Sequence, residues 1–127
     1  LVAERVRLPN RRPILTVPIE DAATGKWHLT VGFDAEGVCR EIFLDRAHLA
    51  GSGLDSLVHD ICIIISRELL QYGRSPALLV RNLSDRPPSL FCKALVEAMT
   101  LERDHGPEMS RICRLEEEYL EPKIRRP

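Results

Sequence analysis

Four carboxylates fall close together in this chain, Asp34, Glu36, Glu41 and Asp45. Paired acids at such spacing can hold a divalent cation or divide acid and base roles between them. The run Asp34-Ala35-Glu36-Gly37 reads as a tight turn, where acids cap neighbouring N–H groups or stay solvated. Glu41 is in a different position. Strand alternation points it the same way as Cys39 and Phe43, which the pattern makes the covered face of a strand. A carboxylate there requires a partner, and Arg67 or a backbone amide is the expected one.

Gly51-Ser52-Gly53 stands just ahead of a helical stretch, and free N–H groups at a helix start favour an anion. The motif lacks the Lys-Ser/Thr that completes a P-loop, so capping by Ser52 is the stronger reading, with Gly51 and Ser52 kept as candidate ligand contacts. Ser66 has no histidine in a recognisable motif and is expected to bond back to a carbonyl one turn earlier. Arg5, Arg7, Arg11 and Arg12 make a basic arm, and with Lys123, Arg125 and Arg126 they form a patch if the termini meet. Trp27 and a few other aromatics are a thin supply for base stacking, which weighs against a nucleic-acid partner. The four cysteines lie far apart without C-x-x-C spacing and read as reduced, structural thiols. No two of His28, His48, His59 and His105 stand at the i, i+4 spacing that sets two ligands on one helix face.

The elements that position these groups follow from periodicity. Residues 14–19 alternate as a strand, residues 21–26 turn, and Trp27, Leu29, Val31 and Phe33 alternate with polar neighbours as a second strand. Gly37 closes a second turn into a third strand over 38–44, so the N-terminal half is predicted to be a three-stranded antiparallel meander. Helical spacing then takes over from about 54 to 72 and ends at Gly73, a residue suited to the left-handed stop of a helix. The middle of that helix, residues 61–65, is apolar nearly all round, so both its faces demand cover. A short helix over 75–82, another over 89–101, a reset at Gly106-Pro107 and a last helix from Pro107 complete the expectation.

A length of 127 residues fits one domain that folds without staples, and a net charge of −1 supplies no electrostatic argument for a nucleic-acid or membrane partner. The apolar run 61–65 is far shorter than a membrane span, and residues 1–10 are too charged for a signal peptide. The expected setting is cytoplasmic.

Read in order, Leu8-Pro9 with Arg11-Arg12, Gly32, Glu41-Ile42-Phe43, Gly51-Ser52, a helix with Asp60 and Ser66, and Leu70-Gln71-Tyr72-Gly73 resemble the TSCPD domain. That domain is similar to a region near the C-terminus of adenosylcobalamin-dependent (class II) ribonucleotide reductases and also occurs as small stand-alone proteins. The resemblance covers residues 8–83 and implies a link to ribonucleotide reduction or nucleotide metabolism. The chain has no Thr-Ser-Cys-Pro-Asp string, no terminal cysteine pair and no counterpart of the catalytic barrel, so neither radical chemistry nor cobalamin is implied for it. The reading is therefore an α+β protein: a three-stranded sheet packed on a long central helix within residues 1–83, and a helical extension over 84–127. Its expected role is a non-catalytic binding or regulatory module without a cofactor, contacting a reductase, another protein or a nucleotide through Glu41, Gly51, Ser52, Arg11 and Arg12. The apolar girth of the central helix predicts a homodimer. The alternatives are a nucleic-acid-binding protein using the arginine arm and a metal- or cysteine-dependent enzyme.

Overall fold

Three strands, β1 (Ile14–Asp21), β2 (Gly25–Phe33) and β3 (Cys39–Asp45), pair antiparallel in chain order. They belong to a computed structural model that describes residues 4–9, 12–46 and 53–119. The helix α1 (Gly53–Ile64) continues through a π-helical turn, Ile65–Leu69, and a 3₁₀ turn, Leu70–Tyr72. Gly73, at φ 93°, ends it in the left-handed conformation that glycine adopts without steric cost. A short α2 (Pro76–Val80), capped by the Ser75 hydroxyl accepting from the Leu78 N–H, leads to α3 (Leu90–Tyr119). The fold is α+β, with the three-stranded antiparallel sheet and the long helices the sequence predicts. Among the described residues no helix is long and apolar enough to cross a membrane.

Trp27, Leu29, Val31 and Phe33 are fully buried, and the register sets Leu29 beside Leu44 and Val31 beside Ile42 on the same face. That face is the core. From the helices it receives Val58, Cys62, Ile65 and Leu70, then Leu90, Ala94, Leu95, Ala98, Leu101 and Met109 of α3. The other face carries Thr16, His28, Thr30 and Phe43, with the Thr16 and Thr30 hydroxyls 3.1 Å apart, and is largely open to solvent. The Phe33 N–H donates to the Pro13 carbonyl at 3.2 Å, which fixes the phase of the ladder. Pro18 then has its missing N–H on the free edge of β1, where no ladder bond is lost.

The free edge of β3 is sealed by α1 and its π-helical extension. The Ser66 hydroxyl accepts from the Ile42 N–H at 2.9 Å and donates to the Ile42 carbonyl at 3.1 Å, while the Cys62 thiol meets the backbone of Leu44. Four helical residues rise about 6 Å and two strand residues about 6.6 Å, so an i, i+4 pair on the helix matches an i, i+2 pair on the strand. Ser66 thus closes a sheet edge instead of bonding back along its own helix.

Two further expectations are corrected by the fold. The register steps from Gly32 opposite Glu41 to Phe33 opposite Cys39, leaving Arg40 as an extra residue in β3. That bulge returns Cys39 to the core beside Phe33 and leaves Glu41, with Phe43, on the outer face. Glu41 is not on the core side. The second correction concerns Gly106-Pro107, where α3 runs on without a break. Gly106 lies backbone to backbone against Gly37 in the β2–β3 turn, and a Cβ on Gly106 would stand 2.7 Å from the Gly37 carbonyl oxygen. The Ser110 hydroxyl donates to the Ala35 carbonyl at 2.8 Å, and the Cys39 N–H donates to Glu102 at 2.8 Å. These contacts on both sides of Pro107 offset the roughly 3 kcal/mol that an interior proline costs a helix.

Candidate functional site

The N-terminal arm lies over the outer side of β3 and the end of α1. The Val6 N–H donates to the Gln71 carbonyl at 2.6 Å, and Arg5 Nε donates to the Gln71 side-chain oxygen at 2.7 Å. Arg12 grips Glu41 from above: its Nε donates to Oε1, and its Nη2 donates to Oε2 at 3.1 Å. This forked geometry fits a carboxylate better than any ammonium could. Glu41 is only 5% exposed although it lies on the solvent face of the sheet, because the arm covers it. Gly32 makes the room. A Cβ there would stand 2.7 Å from the Glu41 carboxyl carbon, so the carboxylate lies across a position where any larger residue would displace it.

Between the arm, β3 and the end of α1 opens a cleft of about 920 Å³. Glu41, Ser66 and Gln71 contribute buried polar groups to its lining, and each is already bonded within the protein. Phe43, Ile63, Tyr72, Val6 and Leu8 add apolar surface. Four arginines reach it, and they differ. Arg5 is held by Gln71 and Arg12 by Glu41, whereas Arg7 and Arg67 are exposed and make no hydrogen bond or ion pair among the described residues.

The structure brings Glu41 and Arg12 together, and Arg12, not Arg67, is the partner of the carboxylate. Gly51, Ser52 and Arg11 lie outside the described residues. The four acids do not converge. Asp34 caps its own turn, accepting from the Glu36 N–H at 2.9 Å and the Val38 N–H at 3.0 Å, and is paired with Arg40 at 2.9 Å. Arg40 in turn donates to the Leu70 carbonyl at 3.0 Å, which ties the β2–β3 turn to the end of the central helix. Glu36 and Asp45 are exposed. Among the described residues no three His, Cys, Asp or Glu side chains gather as a metal site would require. All four cysteines are buried. Burial pushes the Cys39 thiol up to about 12, aided by the nearby Glu102 charge, and burial pushes the Cys62 thiol up to about 11.

Sequence reasoning missed Gln71 as the anchor of the arm and Ser66 as the seal of the sheet edge. The second had a signal: Cys62 and Ser66 are small residues at i, i+4 on an otherwise bulky apolar helix. Comparison of the chain with known protein families, with curated proteins and with solved structures returns no match.

Proposed function

We propose that this chain is a non-catalytic binding module serving ribonucleotide reduction or related nucleotide metabolism in the cytoplasm, and that the cleft above Glu41 is its contact surface. One observation carries the reading. Arg12, Glu41, Phe43, Ser66, Gln71 and Tyr72 all belong to the short strings on which the resemblance to the TSCPD domain rests, and all six line one cleft. Residues scattered from 12 to 72 that meet at one concave surface form a site with a common purpose more readily than a set of independent structural devices.

The chemistry of the lining supports binding over catalysis. The Ser66 hydroxyl is bonded on both sides to Ile42 and no base among the described residues bonds it, while Glu41 is paired with Arg12. Nucleic-acid binding by a free arm is weakened by the same geometry, since Arg5 and Arg12 are held by internal partners. A cysteine-based enzyme requires a thiolate at neutral pH, and burial of Cys39 and Cys62 opposes one.

Self-association belongs to the proposal as well. Leu57 and Ile64 are 57% and 55% exposed on α1, with Leu54 at 38%, and with half-buried Ile61 they repeat at the 3-4 spacing of a two-helix seam. Sedimentation of the wild type as a dimer and of Leu57→Asp as a monomer is the expected pair of results.

The test of the module is binding of the purified chain to a purified adenosylcobalamin-dependent ribonucleotide reductase by interferometry. Capture that is lost in Tyr72→Ala, with the variant's circular dichroism unchanged, is the expected result. Absence of capture together with no nucleotide-induced rise in melting temperature would overturn the reading.

A further inference from the structure

We infer that the cleft takes a phosphorylated ligand with a planar body, the chemical class of a mononucleotide, with Arg7 and Arg67 holding the phosphate and Tyr72 and Phe43 bordering the planar part. The inference rests on the cleft being the contact surface proposed above and specifies what enters it.

Around the cleft stand four arginines, Arg5, Arg7, Arg12 and Arg67, and two glutamates, Glu4 and Glu41. Glu41 and Arg12 cancel each other, and Arg5 has its Nε bonded to the neutral Gln71 side chain. Arg7 projects from the arm and Arg67 from the π-helical turn, so two guanidiniums without a hydrogen bond or ion pair among the described residues border the opening from separate segments of the chain. A guanidinium offers planar, paired donors that suit phosphate oxygens, and two of them outweigh the single exposed acid, Glu4. Glu41, Ser66 and Gln71 are at least nine-tenths buried and bonded within the protein, Gln71 through its side-chain oxygen, so they hold the walls in place while recognition falls to the exposed cations and the aromatic rings.

Size and walls then choose among anions. A cleft of about 920 Å³ far exceeds an inorganic phosphate and lies within the range of roughly 300–1,000 Å³ that suits small organic ligands. Phe43, Ile63 and Tyr72 supply apolar and aromatic surface that a bare anion would leave unused. A π-helical turn inserts an extra residue into a helix, and such turns recur at functional sites; here the turn Ile65–Leu69 contains both Ser66, bonded to β3, and Arg67, facing the cleft.

Isothermal titration of the full chain with ATP, dATP, adenosine, inorganic tripolyphosphate and a short thymidine oligonucleotide tests the assignment. ATP or dATP should bind at least about tenfold more tightly than adenosine or tripolyphosphate. Arg7→Ala and Arg67→Ala should each weaken that binding about tenfold or more, the loss of one charged hydrogen bond. Both variants should melt within about 2 °C of the wild type, because both side chains are exposed and neither has a partner among the described residues whose loss would cost stability. Tripolyphosphate binding as tightly as ATP would remove the planar body, and oligonucleotide binding tighter than ATP with a steep salt dependence would replace the ligand by nucleic acid. Either result overturns the assignment, as does binding unaffected by both arginine variants. Nucleotides that fail to bind while a reductase is still captured refute the ligand and leave the module; failure of both refutes both.

Discussion

Truncation of Arg12 to alanine would leave the Glu41 carboxylate, whose side chain is 6% exposed, facing the space a guanidinium had filled. Removing one member of a fully buried ion pair costs about 3–5 kcal/mol, because the remaining charge is stranded away from water. Arg12 keeps 35% of its side-chain surface exposed, so water can follow into the vacated space. The cost then moves toward that of a charged hydrogen bond, about 1.5–3 kcal/mol, and about 2 kcal/mol is the expected destabilisation. For a chain of 127 residues this corresponds to a fall in melting temperature of roughly 6–10 °C. Urea unfolding of the wild type, Arg12→Ala, Glu41→Gln and the double variant completes a cycle. The double variant should recover part of the loss, with a coupling energy of about 1–2 kcal/mol, because an amide is far cheaper to leave beneath the arm than a carboxylate. An Arg12→Ala protein within about 0.5 kcal/mol of the wild type, or a coupling indistinguishable from zero, would refute the claim that this pair fastens the arm to the sheet.

Three further outcomes follow from the geometry. Gly106→Ala gains about 1 kcal/mol of helix propensity, yet its new methyl would meet the Gly37 backbone carbonyl at 2.7 Å. Because overpacking against backbone costs about 1–3 kcal/mol, the variant should be net destabilised by about 1 kcal/mol, and a rise in melting temperature would contradict the close approach. The Asp21 carboxyl is held below its ordinary range by the Thr24 hydroxyl, with Lys93 and the Thr24 N–H assisting against the opposing effect of burial. A depressed folded value means that the stabilisation is present above the unfolded value and is lost as the pH falls through the folded one. The stability gap between the wild type and Asp21→Asn should therefore be open at pH 7 and close in acid; a gap constant down to pH 2 would sink the assignment. Finally, Cys39 and Cys62 should resist a thiol-specific disulfide reagent at pH 8 until urea unfolds the chain, given burial that raises them to about 12 and about 11. Rapid labelling of either thiol in the folded protein is the contrary result.

Local rules made much of the fold legible. Alternation at Trp27, Leu29, Val31 and Phe33 identifies a half-buried strand because side-chain direction in a strand repeats every two residues, and all four are indeed fully buried. Gly73 marks the end of the central helix because few other residues take its φ of 93° without strain. The need of Glu41 for a partner was equally readable, since a covered carboxylate is costly wherever it stands. Its face and partner were not. One extra residue, Arg40, reverses the alternation, and only the β2–β3 register reveals it. Arg12 and Arg67 are chemically equal candidates along the chain, and the choice between them depends on how the arm crosses Gly32. At Gly106-Pro107 two local helix breakers are overruled by a backbone contact with Gly37, far away along the chain in the β2–β3 turn. The cleft belongs wholly to the second category. Its walls come from an arm, a strand edge and the end of a helix, and residue types alone specify which groups need partners, whereas only the packing of those three segments determines which cations are left without one.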